Sequence, residues 1–379
     1  MKPYYADHLV TLWHGDCIEV LTTLPDASVD SVVTDPPYGI GFMGRKWDKW
    51  GAGEFQSWCE QWSRECLRVL KPGGHMLAFG GTRTWHRLTV AVEDAGFEIR
   101  DSIAWMYGSG FPKSLDVSKA LDKMAGAERG RKDLQHRKRV SDSIHASGFG
   151  AGTWAPQDDT PVTLDAQRWQ GWGTALKPAF EPIVVARKPL AGTVAANVLA
   201  HGTGALNIAA CRIGEEELRV PARGQVDTDA FGDLGPLGAR TYSGRWPANV
   251  ILDETQAAEL DSGIYDMGGA SRFFYISKAD TSERPRIGGV AHPTVKPLTL
   301  MRWLVRLVTP TGGLVLEPFA GSGATVEACL LEGFRCIAIE KDADHLPLIT
   351  QRIHRQRDPV EAIRQRGEDL GLFDPGCPA

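Results

Sequence analysis

The sequence is short of paired cysteines, long apolar runs and net positive charge. Its seven cysteines are scattered over 379 residues without a C-x-x-C pair, so it predicts neither a disulfide framework nor a zinc or other metal site. No apolar stretch approaches the roughly 20 residues that a membrane span needs, and the first residues do not resemble a secretion signal. We therefore expect a soluble, cytoplasmic protein without a membrane partner.

The net charge of -5 argues against a histone-like coating protein, but the charge is locally sorted. Positions 129 to 139 hold six cations and one anion. This stretch is either a solvated loop or a phosphate contact. Its candidate DNA-binding residues are Arg129, Arg131, Lys132, Arg137, Lys138 and Arg139. From 190 to 290, in contrast, 13 acidic residues outnumber 9 basic ones.

Strand-like and helix-like segments alternate in the two outer parts of the chain. A buried strand at 29–33 precedes an amphipathic helix that ends near Leu70, and the alternation continues to position 107. It resumes after Pro297 with a helix, a strand, a glycine-rich loop, a helix and a strand. The pattern predicts an α/β fold with a mostly parallel, Rossmann-like sheet encoded in two separated pieces.

The tetrapeptide Asp35-Pro36-Pro37-Tyr38 directly follows the strand at 29–33. Two prolines fix the backbone, so the loop can hold an acceptor and an aromatic ring in preset positions. An exocyclic amine is a poor nucleophile because its lone pair is delocalised into the base. The Asp35 carboxylate and the Pro36 carbonyl could accept its hydrogens, and Tyr38 could stack on a flipped base. The alternative is a rigid turn capped by Asp35.

A second motif, from Glu317 to Thr325, joins an apolar strand to a glycine-rich turn and a helix start. Gly321 and Gly323 would allow a nucleoside ligand to approach the backbone closely. A nicotinamide fingerprint would need a third glycine where Val326 stands, which weakens a dehydrogenase interpretation. Glu340 ends the next strand, where an acid can accept from ribose hydroxyls. A purely structural turn is the alternative.

Two weaker motifs complete the set. Asp16, in Gly-Asp-Cys, could accept from the amino group of an adenine, or it could simply cap a helix. The segment from His292 to Pro297 would bring polar atoms beside the glycine loop, although Pro297 also explains it as a helix start.

Together, the segments 15–18, 35–38, 292–297 and 317–325 resemble the S-adenosylmethionine-dependent DNA amino-methyltransferases. The catalytic loop precedes the cofactor loop, with a variable region between them. That order is similar to the beta class, including its phage and prophage members, and implies a circularly permuted sheet. The segment 173–182 also resembles a stretch of phage-type members, without a role that the sequence reveals.

The resemblance implies a catalytic set and a cofactor set. Asp35, Pro36, Pro37 and Tyr38 would hold the target amine and base. The cofactor residues would be Asp16, Cys17, Asp35, Thr294, Lys296, Glu317, Phe319, Gly321, Gly323 and Glu340. Within the second set, Glu340 would bind ribose, Asp16 adenine, and Thr294 and Lys296 the methionine part. Glu317 departs from the family, which usually has Asp facing the donor's amino group.

Members with Asp in the catalytic loop more often methylate adenine, so the resemblance favours a site-specific N6-adenine enzyme. Transfer would be direct and in line on a flipped base. N4-cytosine methylation is the alternative. Cytosine-C5 enzymes are excluded because their Pro-Cys nucleophile and Glu-Asn-Val acid have no counterpart. More distant alternatives are methylation of RNA or of a protein glutamine, and a non-catalytic DNA-binding module.

The partners and parts of the chain follow from the resemblance. DNA is the expected partner, with a nucleoid-associated location, and a cognate restriction endonuclease and a homodimer remain open. The expected parts are a first core part with the catalytic loop (1–107), a flexible basic insertion (108–180), a core strand (181–189), an irregular target recognition region (190–289), a second core part with the cofactor loop (290–357) and a tail (358–379).

Overall fold

The computed structural model describes most of the chain and divides it into two compact units. The described residues are 2–41, 48, 50–108, 110, 114–129, 160–220, 226–228, 232–234, 239–262, 269–277, 285–287, 289–292 and 294–357. Unit 1 comprises Met1–Gly108 with Phe180–Ala379, and unit 2 comprises Ser109–Ala179.

The strands of the described part, in chain order, are β1 (Tyr5–Ala6), β2 (Val10–His14), β3 (Val29–Thr34), β4 (Leu70–Phe79), β5 (Glu98–Met106), β6 (Phe180–Arg187), β7 (Ile213–Val220), β8 (Val226–Thr228), β9 (Gly232–Leu234), β10 (Arg240–Arg245), β11 (Val250–Asp253), β12 (Tyr275–Ser277), β13 (Arg286–Ile287), β14 (Val290–Ala291), β15 (Leu314–Glu317) and β16 (Arg335–Glu340).

The helices are α1 (Cys17–Leu21), α2 (Ala52–Val69), α3 (Trp85–Asp94), α4 (Val117–Met124), α5 (Leu164–Arg168), α6 (Val194–His201), α7 (Glu254–Asp261), α8 (Leu298–Val308), α9 (Ala324–Leu331) and α10 (Leu346–Arg357), with short 3-10 turns at Ala209–Cys211 and Ala270–Phe273. None of the described helices has the length and apolar character required to cross a membrane.

Unit 1 is built on a ten-stranded sheet with the order β1-β2-β16-β15-β3-β4-β6-β5-β11-β12. β1 and β6 run antiparallel to their neighbours, and the other adjacent strands are parallel. The expectation of an α/β fold with a mostly parallel sheet is therefore confirmed.

Helices cover both faces of the sheet because its central strands are apolar on both sides. Successive strand residues point to opposite faces. One face packs with residues of α8, α9 and α10 and includes Val33, Leu77 and Val315. The other packs with residues of α1, α2 and α3 and includes their chain neighbours Val32, Met76 and Leu316. The result is three layers, with the loops at the strand ends outside the core.

Residues 190–289 differ from the predicted irregular unit. β11 lies parallel beside β5, and β12 lies beside β11, so this region supplies two strands of the main sheet. The sheet thus contains two strands beyond the two outer pieces and the core strand at 181–189 that the sequence predicts. The sequence pattern does not reveal these strands because runs of four and three residues are too short to show a diagnostic period.

Candidate active site

The predicted site residues gather at one edge of the sheet, where its parallel strands end. Asp35 follows β3, Glu317 and Glu340 end β15 and β16, and Asp16 lies two residues beyond β2. These four strands are neighbours, so their carboxyl ends lie side by side. β6 is antiparallel and brings its first residues to the same edge. Open α/β sheets bind ligands at this position.

The Asp35–Tyr38 loop is held by hydrogen bonds from two directions. The Thr84 hydroxyl donates to the Tyr38 carbonyl at 2.5 Å. On the other side, an Asp48 carboxylate oxygen accepts from the backbone N–H of Gly39 at 2.7 Å. Gly39 has a φ of 68°, which favours glycine. The loop therefore presents the Asp35 carboxylate and the Tyr38 ring from a fixed backbone.

Lys296, Asp35, Tyr38 and Glu181 form one group, which we name the Lys296 cluster. The Lys296 ammonium lies 2.8 Å from Asp35 Oδ2, 2.9 Å from Glu181 Oε2 and 3.0 Å from the Tyr38 hydroxyl. That hydroxyl lies 2.8 Å from Asp35 Oδ1 and 2.7 Å from Glu181 Oε2. Burial lowers the pKa of Lys296, but the two carboxylates outweigh it and raise the pKa above its ordinary value. The ammonium therefore stays charged.

Two features of this cluster are absent from the sequence prediction. The Lys296 ammonium contacts Asp35 and Glu181, and its position beside the methionine part of the cofactor stays a prediction. Glu181 is a site residue that the sequence does not predict. The signal that could have found it is the segment 173–182, whose resemblance to phage-type members includes this glutamate.

The glycine loop after β15 depends on two left-handed residues. Gly321 and Gly323 have φ values of 50° and 80°. A Cβ on Gly323 would lie 3.1 Å from the Ile349 Cα, so a side chain would add a close contact to the backbone strain. The Gly321 N–H donates to a Glu340 carboxylate oxygen at 2.6 Å. The predicted cofactor residues of this loop and of β16 are thus brought together.

Glu317 lies under the loop with both carboxyl oxygens occupied. One oxygen accepts from the Thr34 hydroxyl at 2.5 Å and from the Phe319 N–H at 3.0 Å, and the other lies 2.5 Å from the Thr325 hydroxyl. The residue is almost completely buried. Burial raises the pKa of Glu317 to about 8, although these hydrogen bonds oppose the rise. At neutral pH the carboxyl is therefore mainly uncharged.

The residues after β2 and β16 contact one another. One Asp16 oxygen caps α1, and the other lies 3.0 Å from the Lys341 ammonium. The Glu340 carboxylate accepts from the Asp342 N–H at 2.7 Å in addition to its bond from the glycine loop. Cys17 is buried, and burial raises the pKa of its thiol to about 12. Cys17 therefore packs in the core as a neutral thiol, and its contact with a cofactor stays a prediction.

The segment before α8 lies against the glycine loop. A Cβ on Gly321 would be 3.1 Å from His292 Nε2, and the His292 ring meets His345 edge-on with centroids 4.7 Å apart. Burial and the neighbouring His345 lower the pKa of His292. The Thr294 side chain is exposed, and its carbonyl contacts His292 Nδ1. Thr294 thus lies in the segment that borders the loop.

Aromatic side chains of α2 pack against Phe319 of the glycine loop. The Phe319 ring is 5.4 Å from both Trp58 and Trp62, and Trp50 stacks on Trp58 at 4.8 Å. Phe319 is only half-buried, so part of the ring remains open. The sequence predicts the two α2 tryptophans only as an apolar helix face, because helical periodicity gives no sign of the loop they meet.

The hydrogen-bond acceptors at this edge of the sheet fit S-adenosylmethionine. An ionised carboxylate accepts about four hydrogen bonds, and Asp16 and Glu340 use only part of that capacity on the contacts above. Hydroxyl and amino donors of a nucleoside therefore find acceptors beside a glycine turn that allows close approach. Among the described residues, no group of three metal-binding side chains occurs.

Unit 2 contains one of the predicted DNA-contact residues, Arg129. The Arg129 guanidinium lies 2.7 Å from Asp122 Oδ2, and both side chains are nearly buried. The same carboxylate accepts from the Thr163 N–H and hydroxyl at 2.9 and 2.8 Å. Asp122 thus ties α4 both to Arg129 and to the start of α5. The phosphate contact of Arg129 stays a prediction. The other five predicted cations, at 131–139, lie outside the described residues.

Comparison with known proteins decides the family. The model of the N6/N4 methyltransferase family, described as DNA methylase, matches residues 29–351. The chain belongs to this family. The family is dependent on S-adenosylmethionine, so the predictions of family and cofactor are confirmed.

Individual relatives agree with this membership. Type II methyltransferase M.HindIII of Haemophilus influenzae is 25% identical over 370 residues, covering 87% of this chain and 91% of that protein. Type II methyltransferase M2.DpnII of Streptococcus pneumoniae is 24% identical over 246 residues, covering 58% and 88%. The solved PvuII DNA methyltransferase, described as cytosine-N4-specific, is 14% identical with a TM-score of 0.51, covering 97% and 96%, and shares the fold.

Proposed function

We propose that this DNA methylase transfers a methyl group to N6 of adenine in DNA. The observation that carries the proposal is the position of the Asp35 carboxylate beside the glycine loop. Asp35 follows β3 and the loop follows β15, and these two strands are paired neighbours. An acceptor for an amine and a loop suited to a nucleoside cofactor therefore leave the sheet side by side.

Direct transfer needs an amine whose lone pair is available. Asp35 and the Pro36 carbonyl would accept the two amino hydrogens, which localises the lone pair on nitrogen and eases loss of the proton. Tyr38 would support the flipped base with its ring. When bound, S-adenosylmethionine supplies the electrophilic methyl group. Glu340 and Asp16 would hold it at the sheet edge, together with the glycine loop.

The choice of adenine rests on Asp35, because family members with Asp at this position more often methylate adenine. N4 of cytosine is the second candidate, since its amine would meet the same acceptors. We also propose that the substrate is double-stranded DNA. A cognate endonuclease and a homodimer stay open predictions.

We assign DNA recognition to residues 190–289, where β7 and β10 form an antiparallel pair. The Arg212 guanidinium lies 4.7 Å from the centre of the Tyr242 ring and 5.6 Å from that of Trp246. Trp246 is 65% exposed. Arginine and exposed aromatic rings together suit contact with phosphates and bases. This combination supports the assignment, although acidic residues outnumber basic ones in the region.

The test is a nucleoside mass analysis of unmethylated plasmid DNA after incubation with the pure protein and S-adenosylmethionine. The variants are Asp35→Asn, which removes the charge but keeps the shape, and Asp35→Ala. Asp26→Asn is the matched control, because Asp26 is an exposed residue that pairs with Arg68 at the surface. We expect loss of about 100-fold or more in methyl transfer for both Asp35 variants.

N6-methyladenine formed by the wild type and lost in the Asp35 variants would support the proposal. N4-methylcytosine would overturn the choice of base and favour the second candidate. If cofactor binds but neither nucleoside forms, DNA is not the substrate, and RNA and protein glutamine should be assayed next.

A further inference from the structure

We propose that Glu181 is a positioning residue that keeps the Asp35 carboxylate able to accept the target amine. The inference rests on the proposed function, because it concerns the same transfer step. It goes beyond that function by assigning a role to a residue outside the Asp35–Tyr38 loop and outside the glycine loop.

The topology places Glu181 at the site although it is far from Asp35 in sequence. Glu181 is the second residue of β6, the antiparallel neighbour of β4. The Gly80 N–H donates to the Pro182 carbonyl at 2.9 Å, which fixes the start of β6 against the end of β4. A Cβ on Gly81 would lie 3.1 Å from the Tyr38 ring. The missing side chain at Gly81 therefore leaves room for the ring beside Glu181.

The hydroxyl of Tyr38 cannot satisfy both carboxylates at once. It has one proton, and it lies within hydrogen-bond distance of Asp35 Oδ1 and Glu181 Oε2, while Lys296 donates to its oxygen. If the proton goes to Glu181, Asp35 Oδ1 is left with lone pairs for an N–H of the base. A neutral amide at position 181 is a weaker acceptor than a carboxylate, so in Glu181→Gln the Tyr38 proton would turn to Asp35 and compete with the target amine.

Glu181 also shares the Lys296 ammonium with Asp35. One ammonium faces two carboxylates at 2.8 and 2.9 Å, so neither carboxylate is paired with it alone. Removing the charge at position 181 would leave Lys296 and Asp35 as a simple pair. The ammonium would then offset more of the negative charge of Asp35, which would make this carboxylate a weaker acceptor for the amine.

Other ionisable groups lie near the Lys296 cluster, and their charges bear on the pH profile of the test. Asp35 is also within electrostatic reach of Glu317 and His292. The Tyr107 hydroxyl contacts Glu181 as well, and burial raises the pKa of Tyr107 to about 12. Tyr107 therefore stays neutral in the working pH range and does not titrate with the cluster.

The test compares Glu181→Gln and Glu181→Asp with a matched control, Glu98→Gln. Glu98 begins β5 and pairs at 2.6 Å with Arg187 at the other end of β6, so its substitution removes an ion pair of β6 without touching the site. The readouts are the single-turnover rate of methyl transfer to unmethylated plasmid DNA from pH 5 to 9, the affinity for S-adenosylmethionine, and urea unfolding.

For Glu181→Gln we expect a fall of about ten-fold or more in the transfer rate. The acidic limb of the pH profile should move to lower pH, because the Lys296 ammonium now faces Asp35 alone. Cofactor affinity should change less than about three-fold. Glu181→Asp keeps the charge, so its acidic limb should stay at the wild-type pH even if its rate falls. Glu98→Gln should match the wild type.

An unchanged rate in Glu181→Gln would overturn the proposal, and so would a slower rate with an unmoved acidic limb, which would indicate a merely structural role. If Glu181→Gln does not fold, Glu181→Asp decides: a shifted limb there contradicts the inference. A wild-type protein that transfers no methyl group overturns the proposed function itself, and this inference with it.

Discussion

Substitution of Glu317 by glutamine should change how the stability of the protein depends on pH. The buried carboxyl has its pKa raised by burial from the ordinary 4.5 to about 8. The folded state therefore holds a proton that the unfolded chain releases near pH 4.5. Glutamine has nearly the same shape and does not titrate, so the variant isolates this one group.

The sign and the size of this pH dependence follow from the linkage between proton binding and folding. Between pH 4.5 and 8 the folded state binds more protons at position 317 than the unfolded state, so the free energy of unfolding falls as pH rises. The fall ends above the folded pKa. For values of 4.5 and 8, the contribution lost between pH 6 and 9 is roughly 2–3 kcal/mol. The side chain is 1% exposed, so solvent screening does not reduce this figure appreciably.

The assay is urea unfolding of the cofactor-free protein at pH 6 and pH 9, followed by tryptophan fluorescence. Other groups titrate over this range in both proteins, among them His292 and His345. The difference between wild type and Glu317→Gln cancels them to the extent that they are independent of position 317. We expect the wild type to lose roughly 2–3 kcal/mol more than the variant.

The result that refutes this reasoning is an equal loss of stability in both proteins. It would mean that Glu317 is already ionised in the fold, with the hydrogen bonds from Thr34, Phe319 and Thr325 outweighing its burial. A variant that is much less stable than the wild type already at pH 6 would mean that glutamine cannot replace the hydrogen bonds of the carboxyl.

Three further changes test other parts of the structure. Gly323→Ala should lower the free energy of unfolding by roughly 1–3 kcal/mol, through its left-handed φ and the contact with Ile349, in urea unfolding. Lys296→Met leaves two carboxylates without their buried cation, so it should lower that free energy by about 3 kcal/mol and stop methyl transfer. Arg129→Met should increase hydrogen exchange in α4, because it breaks the pair with Asp122.

Each of these changes has a control in the same chain. Gly312 has a φ of 68° but open space where a Cβ would be, so Gly312→Ala should cost only the backbone strain. Lys341→Met and Lys119→Met remove exposed cations and should leave stability nearly unchanged. Equal effects in a variant and its control would contradict the structural reason given for the variant.

The sequence alone determined the chemistry-bearing loops and the class of fold. The Asp35–Tyr38 and Glu317–Thr325 segments are recognisable because proline and glycine at fixed positions restrict the backbone locally. The alternation of strands and helices around them predicts the parallel sheet, since period and turn residues are local properties. These features need no knowledge of which strands pair.

Other parts of the fold depended on contacts that a local pattern does not encode. β11 and β12 join the sheet beside β5, yet each is too short to be distinguished from a loop. The sequence does not reveal the ion pair of Arg129 for a similar reason. A cation in a basic stretch looks solvated until its partner Asp122 is known to lie 2.7 Å away.

The Lys296 cluster shows most clearly what the local sequence determines and what the tertiary structure decides. The sequence identifies Asp35, Tyr38 and Lys296 as separate site residues, and it assigns Glu181 no role. Only the tertiary structure joins them, because the antiparallel β6 returns Glu181 to the edge where β3 ends, and the segment before α8 brings Lys296 between the two carboxylates. The local sequence determines which groups can do chemistry, whereas strand order and direction decide which of them meet.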